Sequence, residues 1–462
     1  MVKRGTMILS TVDLSRAQFA FTVAFHIIFP AFSIGLASFL MVMEACYLAT
    51  KKPIYYQICK FWMKIFALTF GMGVVSGLVM EVQIGTNWSV FSREAGGVLG
   101  SLFTYEVMTA FFIEAGFLGV MLFGWKKVGP KLHFLATLLV WLGVTVSAFW
   151  ILSANSWMQT PSGATIDKGR FIVNNWHDVV FNPSTLVRLG HMLLAAYLTS
   201  AFAIMSICAY YILNKQYTEF AKKCFSFALW VITILAPLQI FIGDTVGLKI
   251  HQYQPIKTAA IEANWETQKG APLILFAYPD QELQRNRYAI KIPKLASLIN
   301  THEIDGVLQG LKSVSPKDQP WVPAVFYSFR IMVAIGIIML LIGLFSLLLR
   351  WQKKLYTTHW FLRCCEWFAP FGFIAIITGW ITAEAGRQPW VIYGLLRTVD
   401  AASPVSPIKV FITLALTIFV YFIIFGVFYF RYLFKIIAEG PSEISADTQP
   451  FSYMNDPTMK EL

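Results

Sequence analysis

The sequence predicts an all-α integral membrane protein of about nine transmembrane helices. Three observations carry that prediction: composition, the length of the apolar runs, and an alternation of basic connections between them. Of 462 residues, 57% are hydrophobic and 13% charged, and mean hydropathy is +0.61. Soluble domains carry about 25% charged residues, so half that share points to lipid. A bilayer-spanning helix needs roughly 20 apolar residues, and nine segments meet that length or come close to it.

In chain order, the first segment, Ala17–Leu48, is overlong. It follows Ser15 and Arg16 without a small-residue cleavage site, so it reads as a spanning helix rather than a removed signal. Lys51, Lys52, Lys60 and Lys64 surround its junction with the second, Phe61–Met80. Only Arg93 stands before the third, Leu99–Gly124, which is followed by Lys126, Lys127 and Lys131. The fourth is Leu132–Ser153 and the fifth Thr185–Leu213, after which come Lys215, Lys222 and Lys223. The sixth is Ala221–Gly243, and the seventh, Ala324–Leu349, leads into Arg350, Lys353, Lys354 and Arg363. The eighth, Trp367–Ala383, is the shortest, and Val410–Phe434 closes the series. Every second short connection is thus basic. Positive residues stay on the cytoplasmic side, which predicts an outside N-terminus and a cytoplasmic C-terminus. The net charge of +12 is then a topology signal and excludes no membrane reading, whereas nucleic-acid binding would need a soluble basic domain.

Residues 1–440 read as one transmembrane domain, with a polar cytoplasmic tail at 441–462. Two outside loops are long: 154–184, and 244–323 with about 80 residues, far beyond ordinary connections. The six cysteines, Cys46, Cys59, Cys208, Cys224, Cys364 and Cys365, all fall in the inner half or inner connections, away from an oxidising compartment. They read as small apolar residues.

Ionisable groups inside a bilayer are costly and usually functional. Only His26 and His191, of seven histidines, lie clearly within apolar helices. Both helices enter from outside, which sets both residues about 10–15 Å below the outer surface at 1.5 Å per residue. A lone intramembrane histidine is as often a packed residue as a ligand; two at one depth favour ligands. Met332, about eight residues into its helix, is level with them, and Arg330 stands beside it where a haem propionate could pair. A lone methionine is most often core filler. Glu106 and Glu114 share the third helix, separated by about 12 Å of rise and roughly 80° of azimuth in α geometry. That stagger suits a proton relay, or a ligand with a second carboxylate beneath it. Glu384 closes the eighth helix, with Trp380 one turn back and Arg387 three residues on; Glu44 and Glu81, nearer helix ends, reach the interface. His26, Glu106, His191, Met332 and Glu384 therefore come from five helices yet share the outer half of the membrane. Such a polar cluster fits metal or haem cofactors, or an ion path; with no CxxCH, any haem is bound non-covalently.

These residues lie in motifs that resemble a known family. The stretch 379–390, GWITAEAGRQPW, looks like the signature of cytochrome bd oxidase subunit I. So do LSRAQF at 14–19 leading to His26, GTNW at 85–88, WMQTP at 157–161 and FRIM at 329–332. KTAAIE at 257–262, followed by WETQ at 265–268, resembles the family's quinol loop. Together the matches run from residue 14 to about 408, in order.

The resemblance implies the haem-bearing subunit of a quinol oxidase of the bacterial cytoplasmic (inner) membrane, reducing O2 to water. It implies that His191 and Met332 are axial ligands of a low-spin haem b, with Arg330 near its propionates. His26, Glu106 and Glu384 would serve two high-spin haems, one haem b and one haem d or a further haem b in its place. Trp380 would sit between haems and Arg387 near a propionate. Glu114 and Ser147 would carry protons to the oxygen site, and Lys257 and Glu262 would bind or deprotonate quinol, ubiquinol or menaquinol. The implied partners are a second membrane subunit, small single-helix subunits and the lipid bilayer. Oxidising quinol outside while drawing protons from inside would build a proton-motive force without a pump. The loop lacks an inserted segment that some relatives carry, and with VIYGLLRTV at 391–399 it looks like the short-loop branch often associated with cyanide insensitivity. Two other readings compete: a membrane ion or proton transporter using buried carboxylates, and a haem-binding sensor or electron-transfer subunit without oxygen chemistry.

Overall fold

A computed structural model describes residues 10–443. The chain opens with α1 (Thr11–His26) and α2 (Ile28–Thr50), one 40-residue apolar rod interrupted only at Ile27. Next come α3 (Pro53–Asn87) and a rod made of α4 (Ser89–Glu106), a π-helical turn at Val107–Phe111, and α5 (Phe112–Phe123). Then follow α6 (Pro130–Gln159), the short α7 (Trp176–Val180), α8 (Thr185–Leu213) and α9 (Thr218–Tyr253). The long loop holds α10 (Pro255–Glu262) and α11 (Leu295–Thr301), and α12 (Val322–Trp351) leaves it. α13 (His359–Trp367) and α14 (Ala369–Ala385) meet at a 41° bend. After α15 (Thr398–Ala401), the last rod runs through α16 (Pro407–Ile418), a π-helical stretch at Phe419–Gly426, and α17 (Val427–Glu439). Among the described residues, eight helices are long and apolar enough to cross a membrane, or nine with the bent pair as one span.

Among the described residues, strand is confined to two-stranded antiparallel pairs between the rods. β1 (Ala164–Asp167) pairs with β2 (Arg170–Val173), and β3 (Gln268–Lys269) with β6 (Val307–Leu308). β4 (Leu273–Asp280) pairs with β5 (Arg285–Ile292), and β7 (Trp390–Ile392) with β8 (Leu396–Arg397).

Helix ends depart from the hydropathy boundaries in one consistent way. α9 continues through Asp244 to Tyr253, so the first ten residues assigned to the long loop are helical. Nothing in them breaks a helix until Pro255, which pushes Gln254 out of the α region (φ −137°). α6 likewise runs on to Gln159 and stops at Thr160, the residue before Pro161. Hydropathy marks where lipid ends; proline marks where helix ends. The predicted tail beyond residue 443 lies outside the described residues.

α8 forms the centre, with 72% of its apolar window buried against 11% for the last rod. Between helices in lipid there is little hydrophobic drive, so close backbone approach must hold them. A Cβ at Gly35 of α2 would lie 2.1 Å from Ser200 Oγ of α8, and one at Gly372 of α14 would lie 2.6 Å from Thr199 Cα. Both crossings therefore require glycine.

The placement of Glu44 corrects the sequence reading. Its carboxylate is fully buried between α2 and α6, 2.7 Å from His133 Nδ1, and accepts a 2.6 Å hydrogen bond from the Thr137 hydroxyl. Closeness to a helix end did not bring it to the interface, because the first turns of α6 cover it.

Candidate cofactor and quinol sites

His26 ends α1, where the α1–α2 junction turns its ring towards α3. Its Nδ1 lies 2.9 Å from Ser76 Oγ, whose proton is directed to the Met72 carbonyl at 2.8 Å. The ring packs on Gly77, where a Cβ would stand 3.2 Å from His26 Cε1. His191, on α8, faces α9: Gln239 Nε2 is 3.3 Å from Nδ1, and a Cβ on Gly243 would be 3.3 Å from Cε1. Met332, on α12, faces α14, where a Cβ on Gly379 would sit 2.9 Å from its sulfur. Three candidate ligands from three helices thus each rest against bare backbone of a neighbour. Among the described residues no hydrogen bond joins one of these groups to another.

The carboxylates occupy two regions. Glu106 accepts a 2.6 Å hydrogen bond from Ser147 of α6. Glu114, eight residues further along the same rod, is buried against Gly143, and its Oε1 has no hydrogen-bond partner among the described residues. The π turn between them changes the predicted geometry. Its wider i→i+5 winding rotates Glu114 back from the 80° offset towards the face of Glu106. No residue in this stretch signals the wider turn in advance.

Glu384 lies at the end of α14, held by Asn155 Nδ2 (3.0 Å), Gln159 Nε2 (3.1 Å) and an ion pair with Arg387. Gln159 also accepts from Lys257 Nζ at 2.8 Å, so one side chain links Lys257 of the loop to Glu384 of the membrane helix. Lys257 is completely buried, with Gln254 Oε1 as second acceptor, and burial holds its ammonium well below the usual lysine range. An open cleft of about 420 Å³, lined by Gln159, Thr160, Pro161, Pro183, Tyr253 and Tyr393, adjoins this network. Glu262 is buried at the end of α10, bonded to Asn300 and 3.3 Å from Arg330. Arg330 turns to the loop rather than along the membrane: it donates to the carbonyls of Ile261 (2.6 Å) and Ile274 (2.8 Å) and stacks on Phe326. Trp380, half-buried, sits one residue after Gly379.

Several contributors escaped the sequence reading. Arg188, one turn before His191, pairs with Asn155; its signal was an arginine inside an apolar helix. Gln239 and Ser76 are polar residues on apolar helices, visible in the sequence but without a partner there.

The family model for cytochrome bd terminal oxidase subunit I matches residues 14–441. The chain belongs to that family. It is 33% identical to cytochrome bd-II ubiquinol oxidase subunit 1 of Escherichia coli (strain K12), covering 94% of this chain and 98% of that protein. It is 37% identical to cytochrome bd ubiquinol oxidase subunit 1 of Bacillus subtilis (strain 168), covering 86% and 87%. The solved bd oxidase of Geobacillus thermodenitrificans superposes with a TM-score of 0.86 at 28% identity, over 94% of this chain and 99% of that one. As a bd oxidase subunit I, the chain is a multi-pass bacterial inner-membrane protein of a terminal oxidase complex that oxidises quinol, reduces O2 and carries haem. The transporter reading is set aside.

The residues present fit haem. Porphyrin iron needs only one or two axial side chains, as separate seats provide. Buried Arg387 keeps Nε and one terminal nitrogen without a protein acceptor, and Arg188 keeps Nε. Buried cationic donors left over in this way match the carboxylates of propionates.

Proposed function

We propose that this chain is the haem-bearing subunit of a quinol:oxygen oxidoreductase that oxidises quinol at the outer side of the membrane and charges the membrane without pumping protons. The observation that carries the reading is the set of glycine-backed seats under His26, His191 and Met332, together with buried arginines that keep unpaired donors. His191 and Met332 would hold a low-spin haem b, while His26, Glu106 and Glu384 would serve the two high-spin haems, one of type b and one of type d or b. Arg387 and Arg188 would take propionates, Arg330 would hold the loop beside the low-spin site, and Trp380 would lie between haems. When bound, the porphyrin iron supplies one-electron transfer and oxygen binding.

The remaining work falls to side chains. Lys257, whose ammonium burial holds well below the usual lysine range, and Glu262 bind the quinol hydroxyls and accept their protons, in the loop segment 244–323. Glu114, Glu106 and Ser147 form a file that can hand protons towards the oxygen site from the other side. The basic connections set the N-terminus outside and the C-terminus in the cytoplasm. Named relatives use ubiquinol and, in a second protein of Bacillus subtilis named a putative cytochrome bd menaquinol oxidase subunit, menaquinol; this chain uses one of the two. Its partners are a second membrane subunit and small single-helix subunits.

The test is a reduced-minus-oxidised spectrum of the purified complex with and without carbon monoxide, together with quinol-dependent oxygen uptake. A low-spin band plus a CO-sensitive high-spin band supports the reading. A colourless complex, or low-spin haem alone, overturns it.

A further inference from the structure

The β4–β5 hairpin of the long loop carries a surface that neither electron transfer nor quinol chemistry uses. Its inward residues, Ile274 and Ala277, are buried. Its outward residues are large and apolar: Leu275, Phe276 and Ile290 are 50%, 54% and 58% exposed, and Tyr288 is 86% exposed. In a wholly water-facing loop such a face would be a liability.

Its height above the bilayer follows from α12. Between Arg330 and Arg350 this helix has 19 residues, all uncharged and nearly all apolar, a length of about 28 Å at 1.5 Å per residue. That matches the hydrocarbon thickness of about 30 Å, so Arg330 marks the edge of the hydrocarbon on the loop side. Three hydrogen bonds then tie β4 and the residue that follows it to α12 at successive levels. Arg330 Nε donates to the Ile274 carbonyl at 2.8 Å, Tyr327 OH to the Ala277 carbonyl at 2.8 Å, and Val322 N to Gln281 Oε1 at 3.0 Å. Ile274 is therefore level with the hydrocarbon edge, and Gln281, eight helical residues higher, is about 12 Å above it. The zone of lipid headgroups is about 5–8 Å deep on each side. Phe276 pairs across the ladder with Ile290, and Leu273 with Ile292, which sets the apolar rungs at the bottom of that zone. Tyr278 and Tyr288 stand higher, where amphipathic rings favour the interface. Lys291, opposite Ile274, is placed to reach a lipid phosphate.

We propose that the β4–β5 hairpin is embedded edge-on in the headgroup layer of the loop-side leaflet, with lipid covering Leu275, Phe276, Ile290 and Tyr288. Lipid is the occupant because the graded order of the surface, aliphatic below and tyrosine above, repeats the polarity gradient of a leaflet, with Lys291 at the hydrocarbon edge able to extend its ammonium up to a phosphate. The hairpin thereby fixes the loop to the bilayer surface. Its anchor, Arg330, also contacts Glu262.

The test uses the whole complex in lipid nanodiscs, with the single substitutions Tyr288→Cys and Ile290→Cys labelled by a small fluorophore. Labelled parent complex provides the background from native thiols, and Thr165→Cys on the exposed β1–β2 hairpin is the aqueous reference. Unchanged haem spectra establish that each variant is folded. Loss of emission with lipid bearing a nitroxide near the top of the acyl chain, together with protection from aqueous iodide, supports the proposal. Quenching by iodide without quenching by lipid overturns it by placing the hairpin in water. Protection from both also overturns it, by assigning the face to a partner subunit.

Discussion

Replacing Glu44 with alanine should destabilise the folded chain by about 3 kcal/mol. The carboxylate is completely enclosed and engages His133 Nδ1 at 2.7 Å and the Thr137 hydroxyl at 2.6 Å. Hydrogen bonds to charged groups are worth about 1.5–3 kcal/mol each in soluble proteins. Polar pairs in membrane proteins reach only about 1.7 kcal/mol, because the unfolded chain in lipid also finds partners. Two bonds at that upper membrane value give about 3 kcal/mol. Glu44→Gln retains an acceptor for Thr137 and should lose about half as much. The measurement is a denaturing-detergent titration in mixed micelles, followed by circular dichroism, for both variants and for Thr137→Val alone and combined with Glu44→Ala. A carboxylate that merely reached the interface would behave as a surface substitution, within about 0.5 kcal/mol of the parent. That outcome, or strict additivity of Glu44→Ala and Thr137→Val, would refute the buried pair.

Three further outcomes follow from the site. His191→Ala should abolish the low-spin haem band while a CO-binding component persists; an unchanged spectrum rejects His191 as a ligand. Gly243→Val places methyl groups where a Cβ alone would already stand 3.3 Å from the His191 ring, so the low-spin band should shift or fall in amplitude, as read by redox titration of that band, with the high-spin signal retained. Lys257→Met should depress quinol oxidation with haem spectra intact. It should also alter the pH dependence of stability. Burial lowers the folded-state value of Lys257 beneath the ordinary 10.5, so between the two values the unfolded chain binds more protons and parent stability rises with pH. The variant lacks that rise, and unfolding compared at neutral and alkaline pH should move in the parent's favour as pH increases; parallel curves would contradict it.

Much of this molecule was fixed by local sequence. Apolar run length and sparse charge set the number of spans, because each buried peptide group in lipid must find its partner within its own helix. The prolines at 161 and 255 set where α6 and α9 end, a cue stronger than hydropathy because ring sterics act on the preceding residue whatever the solvent. Residue counts also predicted a shared depth for His26, His191 and Met332. Which helix each of them faces they could not give. In lipid both the packed and the exposed faces of a helix are apolar, so periodicity does not reveal the contact side. Only the crossings of α1 on α3, α8 on α9 and α12 on α14 bring His26 to Gly77, His191 to Gly243 and Met332 to Gly379. For the same reason Glu44 read as interfacial until α6 was seen to cover it, and Glu106 and Glu114 read as splayed until a π turn brought them round. Sequence assigned the groups to apolar helices; tertiary packing chose their neighbours, since those neighbours belong to other helices.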